Sequence, residues 1–140
     1  MPVVWHPWRT LREREDIIVA WTDRLPSQVL GVTDGARIWM AREQLQVERR
    51  CTLTHELIHI EQGHHGCQPA HVERLVSVEA SCRLITIEDL CRVAVWARSM
   101  SEAAEELWVD VDTLLVRLES LDTDERVRLD DAFTRRGYAC

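Results

Sequence analysis

The sequence predicts an α+β protein: a small antiparallel sheet of about three strands and one long helix, followed by a mostly helical C-terminal part. Three observations carry this reading. β-type runs separated by turn signals are confined to the stretch from Asp16 to Met40, Arg42 to Gln62 runs without an internal Gly or Pro, and helix-capping patterns recur after Thr86. At 140 residues and 16.3 kDa the chain has room for one domain, or for a core with a short extension.

Taken in order, Trp5 to Arg14 reads as a helix opened by Pro7, and Asp16-Ile-Ile-Val-Ala-Trp21 as a strand that ends at the turn Leu25-Pro26-Ser27. Val29 to Val32 and Ala36 to Met40 flank Thr33-Asp34-Gly35. An Asp-Gly pair closes hairpins, so two antiparallel strands are expected there, with the earlier run pairing beside them. Arg42 to Gln62 is one helical segment ended by Gly63, and Pro69 suits the first turn of a second helix that runs to about Ile85. Thr86 is the expected N-cap of a third, with Ile87, Leu90, Cys91 and Ala94 on one face. Ser99-Met-Ser-Glu102 and Asp122-Thr-Asp-Glu125 resemble capping boxes, and Asp110 caps a helix between them. The expected division is a core over residues 1–85 and a helical subdomain over residues 86–140, packed on the core.

Composition removes whole classes of chemistry. All 17 basic residues are Arg and there is no Asn. With no lysine, a Schiff base or a phosphate-loop lysine is impossible, so P-loop, kinase-like and pyridoxal-type activities are excluded. Residues 1–85 hold 10 Arg against 11 acids, and residues 86–140 hold 7 against 13, so the net charge of -7 belongs almost wholly to the helical tail. Such a surface repels phosphate, and direct nucleic-acid binding is not expected. The five cysteines, Cys51, Cys67, Cys82, Cys91 and Cys140, are odd in number and contain no C-x-x-C pair, so they are expected to be mostly buried, reduced thiols. Apolar runs fall far short of the roughly 20 residues that span a bilayer, and the opening Met1-Pro-Val-Val-Trp-His-Pro-Trp lacks a secretory core. A cytoplasmic address without membrane contact is the expectation.

Chemistry concentrates in Thr52-Leu-Thr-His55-Glu56-Leu-Ile-His59-Ile-Glu61, which contains H-E-x-x-H inside the longest helical stretch. Histidines four apart project from one helical face and can hold one Zn2+. Glu56, one position along, can reach a water at that metal as a general base. The chain's own 6 His and 14 Glu in random order would give roughly 0.03 such matches, so coincidence is a weak explanation. Leu53, Leu57 and Ile60 form a neighbouring apolar stripe that can anchor the helix.

A catalytic zinc takes a third protein ligand. Downstream candidates are His64, His65, Cys67, His71, Glu73 and Glu79. His64 and His65 follow Gly63 so closely that return to the same metal is difficult. On the helix after Pro69, Val72, Leu75, Val76 and Cys82 read as an apolar stripe that includes Glu79, and a carboxylate there is costly to bury unless it is paired or binds metal. Glu73, beside Arg74 and Ser77, reads as a solvated charge on the polar side. The expected set is therefore His55, His59 and Glu79, the His2Glu pattern of gluzincin-type hydrolases.

From about Asp16 to Ile85 the residues resemble the ImmA/IrrE-like zinc metallopeptidases of bacteria and their mobile elements. The likeness rests on the strand pair before the motif helix, Arg50-Cys-Thr-Leu-Thr-His-Glu-Leu-Ile-His59, Gly63-His64, and Val78-Glu79-Ala80-Ser81-Cys82-Arg83-Leu84-Ile85. Ser81 stands where many members have Asn, and Thr86 where many have Pro. The resemblance implies a minimal zincin-like core, with the Glu before Ala80 as third ligand. It also implies a regulatory endopeptidase of narrow specificity that cleaves helix-turn-helix repressors of mobile elements, phages or stress responses.

Ala104 to Leu118 itself looks helix-turn-helix-like, with Asp112-Thr113 opening the second helix. Its acidic face suits packing or a protein partner better than DNA. The oxyanion formed in hydrolysis needs a stabiliser besides zinc, for which His64, His71, Arg74 and Tyr138 are the candidates. Two other functions fit the same residues: a non-proteolytic regulator that binds a repressor or antitoxin through a zincin-like scaffold, and a DNA-binding regulator that uses the C-terminal helices.

Overall fold

The computed structural model describes residues 5–138 and is α+β, with a three-stranded sheet and seven helices in that span. The chain divides into two compact units, Met1–Ala80 and Ser81–Cys140. Their border falls inside a helix, some residues before the expected one at 85/86.

The first unit begins with α1 (Pro7–Glu13), followed by β1 (Ile18–Thr22), β2 (Gly31–Thr33) and β3 (Arg37–Ala41). β2 and β3 form the expected hairpin, with Gly31 opposite Met40 and Thr33 opposite Ile38. Asp34 holds the turn by accepting from the backbone N–H groups of Ala36 (3.0 Å) and Arg37 (2.8 Å), while Gly35 adopts φ +100°, a conformation open to glycine. The sheet is not all antiparallel, however. The strand order is β1-β3-β2, and β1 runs parallel to β3, Ile18 opposite Arg37 through Thr22 opposite Ala41. The physical reason is the connection over residues 23–30, which passes the end of β3 and returns as β2 on its far side.

Helix α2 (Gln46–Glu61) starts four residues later than the sequence pattern suggested. Gln44 holds the preceding segment open: its side-chain amide donates to the carbonyls of Leu30 (3.1 Å) and Ala41 (2.8 Å) and accepts from Thr52 Oγ1 (3.0 Å). Glu48 then accepts the Leu45 N–H at 2.8 Å and covers one of the orphan donors at the helix start. Leu53 and Leu57 pack with Ile17, Ile38 and Met40 under the sheet, and Ile58 packs with Val76 and Ala80 of α3 (Ala70–Leu84). Each such apolar side chain contributes about 1.5–3 kcal/mol on burial. A helix gripped on two sides is a rigid platform for whatever its remaining face carries.

The second unit contains the end of α3, then α4 (Ile87–Ala94), α5 (Met100–Leu107), α6 (Val111–Glu119) and α7 (Thr123–Tyr138). Thr86, Ser99 and Asp110 cap their helices through the N–H groups of Asp89, Glu102 and Thr113. Asp122 and Glu125 form a reciprocal capping box, at 2.8 and 3.3 Å. Asp110, not Asp112-Thr113, therefore opens the second helix of the helix-turn-helix-like pair. Trp108 ends α5 in the left-handed conformation, φ 58°, with its side chain 64% exposed.

Of the cysteines, Cys51 is buried, Cys91 half-buried, and Cys67 and Cys82 exposed. All four are free thiols, so burial accounts for fewer of them than expected. Cys140 lies outside the described residues. Among the described residues no helix is long and apolar enough to cross a membrane.

Candidate metal centre

The motif lies on a largely buried face of α2, with His55 half-buried and Glu56 and His59 buried. His55 and His59, one turn apart, present Nε2 atoms 3.1 Å from each other, and each Nε2 lies 3.0 Å from Oε2 of Glu73. These three atoms form a group that could hold a metal ion. Glu73 reaches them from the first turn of α3, where its N–H and that of Val72 donate to the Pro69 carbonyl at 3.0 and 2.9 Å. The Gln68 N–H, 3.4 Å from Oε1, steadies the other carboxylate oxygen.

The donor set fits zinc. Ligands at about 2.0–2.2 Å in tetrahedral array stand roughly 3.3–3.5 Å apart, so the observed triangle would need to open by only a few tenths of an ångström. Protonation favours the same role. Burial lowers the His55 pKa, ahead of the opposing pull of Glu73, and keeps a ring lone pair available. Burial works against ionised Glu73, but hydrogen bonds and charge from His55 and His59 outweigh it and hold this carboxyl below its ordinary value.

Glu56 is 6% exposed. Burial, then the charge of Glu73, pushes its pKa up to about 7. Its place depends on Gly31 of β2, where a Cβ would sit 2.5 Å from Thr52 Cγ2 and 3.4 Å from Glu56 Cγ. Only a bare backbone lets α2 approach the strand this closely. His55, Glu56, His59 and Glu73 line a cavity of about 520 Å³ together with Val32 and Cys67.

The structure brings together His55, Glu56 and His59 as expected from the motif, but it supplies Glu73, not Glu79, as their carboxylate partner. Glu79 is exposed on α3. Six residues beyond Glu73, it lies about 9 Å further along the axis and two-thirds of a turn round. The stripe drawn through Leu75 and Cys82 is not the buried one. Leu75 is 64% exposed and Cys82 is exposed, whereas Val76 and Ala80 are buried, and Glu73 precedes them at i-3 and i-7. Reading the stripe from Val76 and Ala80 alone would have selected Glu73. The same geometry displaces the third ligand implied by the family resemblance at Glu79-Ala80.

Among the other candidates, His64 contacts the back of His59, His65 packs on the Gly35 turn, and Cys67 lines the cavity. His71 and Arg74 are exposed on α3, and the side chain of Tyr138 lies outside the described residues. Comparison of the chain with protein-family models, curated proteins and solved structures finds no match, so the residues of the site carry the functional reading.

Proposed function

We propose that this chain is a zinc-dependent endopeptidase of narrow, regulatory specificity whose substrate is a helix-turn-helix repressor. The observation that carries the reading is the meeting, in one cleft, of His55, His59 and Glu73 with the buried carboxyl of Glu56 beside them. Two imidazoles and a carboxylate are the three protein ligands of a His2Glu hydrolytic zinc site. When bound, Zn2+ supplies a Lewis acid that polarises a carbonyl and brings the acidity of water toward neutral pH.

The chain's own groups do the proton work. Glu56, with a pKa of about 7, can both accept and return a proton near neutrality. It takes one proton from the water whose oxygen adds to the scissile carbonyl carbon, and delivers it to the amine nitrogen as the C–N bond breaks. Neutral His55 offers a lone pair, and Glu73 brings the negative charge that offsets a divalent cation. The identity of the substrate rests on the resemblance of residues 16–85 to peptidases that cleave such repressors.

The test uses the full chain loaded with one equivalent of zinc and mixed with the helix-turn-helix regulator encoded beside its gene. Cleavage at a single bond, abolished by a chelator and by Glu56→Gln, is expected. A stable complex without fragments would favour the non-proteolytic regulator, and failure to retain zinc would remove the metal reading itself.

A further inference from the structure

The side of His59 turned away from the metal-ligand group meets a second imidazole. Its Nδ1 lies 2.8 Å from Nδ1 of His64, with the ring centroids 5.1 Å apart. The way α2 ends brings His64 there. Gly63 takes φ +76°, and the His64 N–H then donates to the His59 carbonyl at 2.9 Å, so backbone and side chain both return to the same residue. The sequence had made this return difficult to expect, because the left-handed turn at Gly63 is what permits it.

A contact of this length between two ring nitrogens requires one proton and one lone pair. If Nε2 of His59 gives its lone pair to a cation, the ring's only proton is on Nδ1 and needs an acceptor. The Nδ1 of His64 is in place, and the proton of neutral His64 is then on its Nε2. That pairing fixes the tautomer and the rotation of His59 together, the role that outer partners of metal-bound histidines commonly play. His64 is not one of the three converging donors, since its near nitrogen is engaged behind His59.

We infer that His64 is a positioning residue that locks His59 in its metal-binding tautomer through an imidazole–imidazole hydrogen bond. This rests on the zinc reading above, and two measurements separate their fates. The first is zinc affinity of the full chain, by competition with a chromophoric chelator. His64→Ala should weaken it about 10–100-fold, and His64→Gln, whose amide oxygen can accept the same bond, should recover most of the loss. Melting of the zinc-free protein should be alike in all three. An Ala variant that binds zinc as tightly as the parent overturns the positioning role and leaves the zinc reading standing.

The second measurement needs no metal. Long-range 15N spectra of the zinc-free chain should show both ring nitrogens of His59 displaced by His64→Ala, and more strongly than those of His55. Unmoved His59 signals overturn the pairing. Displaced signals in a parent that takes no zinc uphold the pairing and remove only the zinc reading.

Discussion

Both units of the molecule bury charged or titratable groups, and they treat them in opposite ways. In the second unit Arg117, 3% exposed, donates to the Ile85 carbonyl at 2.8 Å and to both oxygens of Glu125 at 3.2 and 2.6 Å. That guanidinium is answered by the chain's own groups, and the arrangement is closed. In the first unit His55, His59 and Glu73 point at one another around a shared point, while burial and then the charge of Glu73 hold Glu56 well above its ordinary pKa. Buried polarity that is self-satisfied is structural; buried polarity that converges without closing is what a ligand site requires.

The contrast can be broken most severely at Glu56. Glu56→Gln should lower the turnover number by about 10²–10⁴-fold with zinc content unchanged, measured by rate assay and metal analysis of one preparation. Persistent cleavage would sink the general-base role. Glu73→Ala tests the open cluster from another side: it should lose zinc more completely than any outer-shell change, beyond the 10–100-fold typical of those, while Glu79→Ala keeps a full equivalent.

On the closed side, Glu125→Gln leaves Arg117 buried without its anion and should cost about 3 kcal/mol in urea unfolding, with zinc content unaffected. The pH dependence has a definite sign. The hydrogen bond from Arg117 holds the Glu125 carboxyl below its ordinary value of 4.5. The stabilisation is therefore full above 4.5 and is lost as pH falls through the lower folded value, so acid should erase the difference between parent and variant. A smaller effect sharpens the comparison at the helix–strand contact. Gly31→Ala drives a methyl into Thr52 Cγ2 and should cost roughly 1–3 kcal/mol, with a fall in turnover because Glu56 must shift as well.

Local chemistry made much of this legible in the sequence. The motif helix, its histidines and Glu56 could be read because four-residue spacing puts side chains on one face whatever the helix packs against. Caps at Thr86, Ser99, Asp110 and Asp122 could be read because each acts within three residues. The rest depended on distant partners. The parallel pairing of β1 with β3 is decided by the path of residues 23–30, which carries no periodic signal. The choice between Glu73 and Glu79 turned on whether Leu75 or Ala80 faces inward, and α3 is so evenly mixed that both stripes are present in its sequence. Gly31 was invisible as a site residue because what matters there is a side chain the residue does not have.

The wall formed by residues 62–69 is attached to the ligand group near both ends, through His64 on His59 and the Gln68 N–H on Glu73. Gly66 stands between these attachments and Gly63 just before the first, so the segment has little stiffness of its own. Its order is therefore borrowed from the groups it supports. Occupancy of the cluster will be written into the backbone of this wall as slower amide exchange and resistance to nicking, a record of the metal-loaded fraction that can be read without any substrate.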